Sequence, residues 1–171
     1  MALSTSNMIN SDETWIEISL AEQCLSLKQG DELLKQYLVS TASNGAGEQL
    51  GSECTPRGWH KIRAKIGDGQ PVNAVFVGRR STGEVYSAAL DMKYPGRDWI
   101  LTRILWLSGL EQGKNRLGRV DTMRRYIYMH GTPDKFDLGK PESHGCVRMN
   151  NRDIIELFDN VAVGIKVFIH E

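Results

Sequence analysis

Two histidines and one cysteine in one loop are the residues of this sequence best suited to covalent chemistry. They lie in the stretch YMHGTPDKFDLGKPESHGCVRMNNRD (128–153), which contains His130 and, further along, Ser143-His144-Gly145-Cys146. A cysteine attacks as the thiolate, and its ordinary pKa of about 8.5 leaves it mostly protonated at neutral pH. A histidine nearby can accept that proton. This set therefore predicts a cysteine nucleophile with a histidine base.

The two histidines are not equivalent candidates for that base. His144 lies two residues before Cys146, and in an extended backbone the two side chains would point the same way. His130 lies 16 residues upstream (146 − 130), at the end of a predicted strand. A sheet would hold its ring steady, so we predict that His130 is the base.

The neighbours of Cys146 fit the same chemistry. Gly145 allows another group to approach the backbone closely, and the amides of Gly145 and Cys146 are candidates to receive a developing oxyanion. Arg148, two residues further on, would share the face of Cys146. Its guanidinium suits a substrate carboxylate.

Two alternatives remain open for this loop from the residues alone. His130, His144 and Cys146 could bind zinc, although only three ligands are evident and their spacing is not that of a common zinc finger. The loop could also be purely structural. Outside it, Cys24 and Cys54 are expected to be ordinary thiols, since three cysteines without a C-x-x-C pair form no disulfide framework. His60 is expected to be structural or exposed.

The rest of the chain alternates between strand-like and turn-like segments. Strand-like patterns, several with period-two alternation, predict strands at 15–20, 24–28, 33–41, 59–66, 72–77, 84–90, 125–129 and 161–169. The continuous apolar run at 100–107 suits a buried strand, although its length alone leaves a helical turn open. Loops are predicted at 43–56, 79–83, 91–99 and 113–121, and segments 91–99 and 109–121 are candidate lids. One short helix is predicted after the cysteine loop, capped by Asn150 or Asn151 and ending near Asn160.

These patterns predict a mostly β protein, a sandwich or partly closed barrel with that one helix. We expect a loose tail over residues 1–11 and a single domain over 12–171. The chain has 21 basic and 21 acidic residues among 171, which gives no electrostatic reason to expect nucleic acid or an anionic membrane surface as a partner. The N-terminal stretch lacks the features of an export signal, and no apolar run is long enough to span a membrane. We therefore expect a cytoplasmic protein.

His130-Gly131 followed by Ser143-His144-Gly145-Cys146-Val147-Arg148-Met149 closely resembles the catalytic domain of the L,D-transpeptidases (the YkuD family). The resemblance is strongest over 126–169 and extends weakly to the opening strands and to T-P-R-G at 55–58. It implies a mostly β fold and cysteine-dependent acyl transfer on peptidoglycan stem peptides, without a cofactor or metal.

Carried onto this chain, the resemblance makes Cys146 the nucleophile and His130 the general base, with the backbone carbonyl of Gly131 orienting His130. His144 and Gly145 would lie in the oxyanion region. Arg148, Ser143 and Tyr128 would contact the substrate. Family enzymes cleave the L,D bond between meso-diaminopimelate and the terminal D-alanine, and an amine or water then resolves the acyl-enzyme.

The expected cytoplasmic setting favours water as the acceptor. The leading hypothesis is an L,D-carboxypeptidase that trims muropeptide tetrapeptides to tripeptides during cell-wall recycling. The alternatives are an L,D-transpeptidase that forms cross-links or exchanges D-amino acids, and a non-catalytic domain that binds stem peptides. If Cys146 is catalytic, we expect it to alkylate with a pH profile shifted below about 8.5.

Overall fold

The structure, a computed structural model, describes residues 5–171, with side chains from residue 7 onward. Residues 1–4 of the expected tail lie outside this range, and Thr5–Met8 form a helical turn. The ten strands are β1 (Thr14–Ser19), β2 (Cys24–Gln29), β3 (Glu32–Ser40), β4 (Gly58–Ile66), β5 (Ala74–Val77), β6 (Arg80–Val85), β7 (Ile100–Gly109), β8 (Tyr128–Gly131), β9 (Val147–Met149) and β10 (Lys166–His170). The helices are α1 (Thr5–Met8), α2 (Ala88–Lys93) and α3 (Asn151–Asn160), with a 3-10 turn at Gly118–Val120.

Eight of the strands close into a barrel. Their order is β4-β10-β1-β2-β3-β9-β8-β7, and β7 pairs back onto β4 to complete the ring. The hairpin of β5 and β6 pairs with the beginning of β7, at Ile100 and Leu101. Most neighbours are antiparallel, while β1 with β10 and β8 with β9 are parallel. The prediction of a mostly β, barrel-like fold is confirmed.

Strand β7 is buried on both faces, which explains its continuous apolar sequence. Leu105 and Leu107 belong to the main core, which also takes in residues of β1, β2 and α3. Ile104 points to the other face and packs in a second cluster with Phe76 and Tyr128. The prediction of a buried strand here is confirmed, because the β5–β6 hairpin covers the face that a simple barrel would leave in water.

Helix α3 follows the cysteine loop as predicted. The side chain of Asn150 caps it by accepting a hydrogen bond of 2.9 Å from the Arg152 amide. Ile154, Leu157 and Phe158 are buried in the main core. The helix packs against β7 and β8, so it supports the strand that carries His130.

The prediction for residues 79–90 was wrong in detail. The turn consists only of Gly78 and Arg79, both at positive φ (55° and 64°), and β6 begins at Arg80. Where we expected strand and then loop, helix α2 forms at Ala88–Lys93. The signal was Ser87, whose Oγ accepts a hydrogen bond of 3.1 Å from the Leu90 amide as a helix cap.

Two other strands are shorter or shifted from their predicted positions. β8 begins at Tyr128 rather than at residue 125, because the Arg125 amide closes a turn on the Asp121 carbonyl at 3.0 Å and Tyr126 has a positive φ of 56°. The last strand occupies 166–170 rather than the predicted 161–169. A turn precedes it, with Gly164 at a φ of 95°.

Candidate active site

The parallel pairing of β8 with β9 places the predicted catalytic residues on one face. His130 lies opposite Arg148, and Met129 lies opposite Val147. Because successive side chains of a strand alternate, His130 and Arg148 share a face with Tyr128 and with Cys146, which directly precedes β9. The residues between them, such as Met129, point into the main core.

This face forms one wall of a cleft of about 520 Å³. The cleft is lined by residues of 78–79, 98–100, 125–130 and 143–148. It brings together Tyr128, His130, Ser143, His144, Cys146 and Arg148, all of which were predicted site residues. Of the two candidate lids, 91–99 contributes Asp98 to the wall, whereas 109–121 lies elsewhere.

The Cys146 thiol is held by the backbone on the opposite side of the loop. Its Sγ accepts from the Tyr128 amide at 3.4 Å and donates to the Tyr126 carbonyl at 3.4 Å. Burial raises the pKa of Cys146 to about 12, and the Tyr128 amide opposes this shift only in part. The side chain is half-buried and lines the cleft, and the direction of this shift favours the neutral thiol at rest.

His130 is almost fully buried, and its tautomer follows from its hydrogen bond. Its Nδ1 lies 2.7 Å from the Gly131 carbonyl oxygen, which can only accept, so Nδ1 carries the proton. In the neutral ring, Nε2 is then the unprotonated nitrogen. Burial lowers the pKa of His130, and the Gly131 carbonyl opposes that shift. The ring is a neutral base.

These two shifts run against our expectation that Cys146 would alkylate with a pH profile below about 8.5. That expectation assumed a thiolate stabilised by a cationic histidine. Burial disfavours both charged forms, so the resting pair of Cys146 and His130 is neutral.

Gly131 is required by the packing behind His130. A Cβ at this position would lie 2.3 Å from Asn151 Oδ1 and 2.7 Å from the Leu101 carbonyl oxygen. Asn151 is itself fixed, since its Oδ1 accepts from Thr102 Oγ1 at 2.6 Å and its Nδ2 donates to the Thr132 carbonyl at 2.9 Å. This buried network holds the end of β8 and hence the carbonyl that binds His130.

The turn before Cys146 is held from both sides by hydroxyl groups. Ser143 Oγ donates to the Cys146 carbonyl at 2.5 Å and accepts from the Gly145 amide at 3.2 Å. Thr55 Oγ1 donates to the Gly145 carbonyl at 2.9 Å and accepts from the Ala42 amide at 3.0 Å. The Ser143 hydroxyl, predicted to bind substrate, is therefore engaged within the turn.

Gly145 has a φ of 129°, which favours glycine, and a Cβ there would meet Cys54 O and Ile127 Cδ1 at 3.2 Å. Its amide, one of the two predicted oxyanion donors, already donates to Ser143 Oγ. In this conformation an oxyanion would have to be received by the amides of His144 or Cys146. The His144 side chain is exposed at the edge of the cleft.

Arg148 lines the cleft, but its guanidinium is occupied. It is 6% exposed, and its Nη2 lies 3.4 Å from Asp98 Oδ1. It also donates to the Glu142 carbonyl at 3.3 Å, and its Cζ lies 4.9 Å from the Phe136 ring centroid. Arg148 is thus positioned to hold the segment that contains Asp98 against the loop that contains Cys146. The sequence did not predict Asp98 as its partner.

Arg125 is another cleft residue that we did not predict. Its Nη1 donates to the carbonyls of Gly47 and Glu48, at 3.2 and 3.1 Å. Its Nη2 donates to Ser52 Oγ at 3.3 Å and to the Cys54 carbonyl at 2.6 Å. It fastens the glycine-rich loop to the turn that precedes β8. No local sequence signal identifies these long-range partners.

The remaining histidine and cysteine predictions concern residues that do not line the cleft. His60 is fully buried, with Nδ1 2.9 Å from the Gly58 carbonyl and Nε2 3.0 Å from Thr122 Oγ1, and its pKa is lowered to about 4 by burial. Cys24 is buried, Cys54 is half-buried, and both are free thiols. Over residues 5–171, no three His, Cys, Asp or Glu side chains are grouped as a metal site. No helix in that range is long and apolar enough to cross a membrane.

Comparison with known proteins identifies the class to which this fold and cleft belong. The sequence profile of the L,D-transpeptidase catalytic domain (YkuD) matches residues 13–169. The chain belongs to this family. The match includes all ten strands except the final residue of β10, and it contains the whole catalytic loop.

Individual relatives match over shorter stretches. The chain is 50% identical over 48 residues to the probable L,D-transpeptidase YbiS of Escherichia coli K12, covering 28% of this chain and 16% of YbiS. It is 30% identical over 100 residues to the probable L,D-transpeptidase ErfK/SrfK of Salmonella typhimurium, covering 52% of this chain and 32% of that protein. The aligned part is thus a minor share of these curated relatives.

Solved structures confirm the fold. An L,D-transpeptidase from Mycobacterium smegmatis superposes with a TM-score of 0.55 at 18% identity, covering 93% of this chain and 59% of that one. Bd1075 of Bdellovibrio bacteriovorus superposes with a TM-score of 0.57 at 14% identity, covering 99% of this chain and 51% of that one.

Proposed function

We propose that this protein is a cysteine-dependent acyl transferase on peptidoglycan stem peptides that acts chiefly as an L,D-carboxypeptidase. The observation that carries the proposal is the placement of Cys146 and His130 on one face of two adjacent parallel strands. His130 is held with Nε2 unprotonated by the Gly131 carbonyl. The family supplies the substrate class, a stem peptide with meso-diaminopimelate followed by a terminal D-alanine.

The reaction follows from two neutral groups. Cys146 Sγ attacks the carbonyl carbon of the L-centre of meso-diaminopimelate while its proton passes to His130 Nε2. Collapse of the tetrahedral intermediate breaks the bond to D-alanine, whose amine takes the proton from His130. Water then attacks the thioester and gives its proton to His130. The tripeptide leaves with a new carboxyl group, and Sγ regains its proton.

The proposal that water is the acceptor is supported by the shape of the site near His130. The ion pair of Arg148 and Asp98 borders both the main cleft and a smaller cavity of about 210 Å³, and Arg148 packs over Phe136. A second stem peptide would have to displace this pair to approach the thioester from that side. Water needs no such rearrangement.

The second candidate is transpeptidation, which the names of the relatives favour: YbiS and ErfK/SrfK are both described as probable L,D-transpeptidases. In that reaction the amine of another stem peptide, or a D-amino acid, replaces water. The chemistry at Cys146 and His130 is the same in both cases. Only the acceptor differs, so product analysis separates them.

The test is incubation of the protein with a free tetrapeptide and with a disaccharide tetrapeptide, followed by mass spectrometry of the products. We expect tripeptide and free D-alanine. If dimers of two stem peptides are the main product, the activity is transpeptidation and not hydrolysis. Cys146→Ala should abolish both outcomes, whereas Cys24→Ala and Cys54→Ala should retain turnover. Tight binding without any turnover by the unsubstituted protein would favour a non-catalytic binding domain.

Proposed substrates are soluble muropeptides of cell-wall recycling, and the proposed setting is the cytoplasm. This part is tested separately by fractionating cells that express the full-length protein. Recovery with the cytoplasmic fraction is expected, and recovery with the envelope would contradict it.

A further inference from the structure

Arg79 is a cation of the catalytic cleft that the proposed mechanism does not use. It is the second residue of the two-residue turn between β5 and β6, and its side chain lines the cleft that holds Cys146. Its Nη1 donates to Tyr128 Oη at 3.1 Å. The amide of the same tyrosine donates to the Cys146 thiol, so one residue links Arg79 to the nucleophile.

The Arg79 guanidinium packs over two aromatic rings. Its Cζ lies 4.4 Å from the Trp106 ring centroid and 4.8 Å from that of Tyr126. Stacking of this kind occupies the face of the planar group and leaves the N–H groups along its edge available. Such an edge matches the two oxygens of a carboxylate.

No acidic side chain within the described residues pairs with Arg79, and its polar partners are the hydroxyl groups of Tyr128 and Tyr126. The other two arginines of the cleft are committed. Arg148 is paired with Asp98, and both terminal nitrogens of Arg125 are bonded to oxygens of residues 47–54. Arg79 is therefore the arginine of this cleft whose terminal N–H groups are least committed: one bond, from Nη1 to Tyr128 Oη, engages them.

The backbone at Arg79 adopts a conformation that is costly for a residue with a side chain. A φ of 64° suits the turn of a tight hairpin, where glycine or asparagine is favoured. A residue with a Cβ costs about 1–2 kcal/mol in this conformation. The turn therefore carries a strained arginine directly beside the cleft, an arrangement typical of functional sites.

We propose that Arg79 is the specificity residue that binds a free carboxylate of the stem peptide. This inference rests on the proposed function. Two groups have the required chemistry: the carboxylate of the terminal D-alanine and the distal carboxylate of meso-diaminopimelate. Binding of either explains why an arginine, with an exposed N–H edge and without an acidic partner, is held in an aromatic cage beside Cys146.

The test measures kcat and KM for D-alanine release from three tetrapeptides: unmodified, amidated at the D-alanine carboxylate, and amidated at the distal diaminopimelate carboxylate. In the unsubstituted protein, one of the two amidations should lower kcat/KM by about tenfold or more, mainly through KM. Arg79→Gln should lower kcat/KM on the unmodified peptide by a similar factor. In the Arg79→Gln variant, the same amidation should then lower kcat/KM by less than about threefold.

The amidated peptide that is sensitive in the unsubstituted protein identifies the carboxylate bound. Arg79→Lys keeps the charge without the planar fork and should lose part of the effect. Arg80→Gln, an exposed neighbour in β6, is the matched control and should stay within about twofold.

An equal loss on all three peptides in Arg79→Gln would overturn the inference, because a structural defect does not distinguish them. No loss at all, or the same pattern in Arg80→Gln, would also overturn it. Failure of the unsubstituted protein to release D-alanine from any peptide would instead overturn the proposed function.

Discussion

At the level of single residues, desolvation favours the neutral forms of Cys146 and His130, the proposed catalytic pair. It raises the pKa of Cys146 and lowers that of His130, so both groups are neutral over the physiological range. A neutral thiol is a weak nucleophile, and its proton must move to His130 Nε2 as the bond to carbon forms. The Gly131 carbonyl favours this transfer because it stabilises the imidazolium through Nδ1–H.

The pH dependence of turnover follows from the raised pKa of Cys146 and the lowered pKa of His130. A lowered pKa keeps His130 unprotonated to more acidic pH, so kcat/KM for D-alanine release should fall only below pH 6.5, the ordinary pKa of histidine. It should stay level from there to pH 9. An acidic limb centred above pH 7 would contradict a neutral, buried base.

The same reasoning applies to alkylation of the resting thiol. In a Cys24→Ala/Cys54→Ala background, the rate of reaction with iodoacetamide should still be rising at pH 9, because the pKa of Cys146 is raised to about 12. Free N-acetylcysteine in the same buffers is the control. A rate that levels off below pH 8 would show a resting thiolate and imidazolium, as the sequence alone had suggested.

The residue types and spacing, together with the family resemblance, predicted one part of this cleft. The six predicted residues from Tyr128 to Arg148 that line the cleft are close in sequence, so a local motif contains them. Their resting charges were not predictable, because burial depends on strands far away in the chain. Arg79 was expected in a solvated turn from which it could touch an acidic substrate, but its position in this cleft was not predictable: only the folded hairpin brings it to Trp106 and Tyr128.

At the level of elements, the catalytic turn depends on a threonine from a distant loop. Thr55 is completely buried, and its hydroxyl joins the Gly145 carbonyl to the Ala42 amide. The T-P-R-G segment was noticed in the sequence only as a family likeness. Its threonine supports the backbone of the residue next to the nucleophile.

Replacing this threonine tests that role. Thr55→Val keeps the shape but leaves a buried carbonyl and a buried amide without a partner, which should cost about 1–3 kcal/mol in the free energy of unfolding. Urea denaturation measures this cost. We also expect kcat to fall by roughly tenfold or more, because a small displacement of the attacking sulfur strongly reduces the reaction rate.

Thr55→Ser is the matched control because it retains the hydroxyl. It should recover most of the kcat lost in Thr55→Val. Equal kcat values in the Val variant and the unsubstituted protein would show that the turn before Cys146 does not need this hydrogen bond.

At the level of the whole molecule, the C-terminal strand closes the barrel. β10 lies between β1 and β4, which come from the opening and the middle of the described chain. Val167 and Ile169 of this strand are fully buried in the main core. The sequence predicted a final strand, but not that it would join these two partners and complete a ring.

Ile169→Ala should therefore destabilise the whole domain. Removing a fully buried isoleucine side chain costs about 2–5 kcal/mol in the free energy of unfolding, through lost burial and the cavity left behind. Val163→Ala, at a residue 59% exposed in the preceding turn, should change it by less than about 0.5 kcal/mol. Equal urea midpoints for the two variants would contradict a core closed by β10.

Period-two alternation was enough to predict most strands, and the cap at Asn150 was enough to predict α3. Strand ends were less predictable where a non-glycine residue adopts positive φ, as at Arg79 and Tyr126. Such turns are stabilised by long-range contacts, so local composition does not reveal them. The closure of β7 onto β4 is likewise a property of the whole chain.

The central claim is that Cys146 forms a thioester with the stem peptide, and intact-protein mass spectrometry of a rapidly quenched reaction tests it most directly. With excess tetrapeptide, we expect the protein mass to increase by that of the tripeptide acyl group, with the adduct on the peptide containing Cys146. His130→Gln should slow formation of the adduct, and Cys146→Ala should show none. Release of D-alanine by Cys146→Ala, or an adduct on Cys24 or Cys54 instead, would contradict the account.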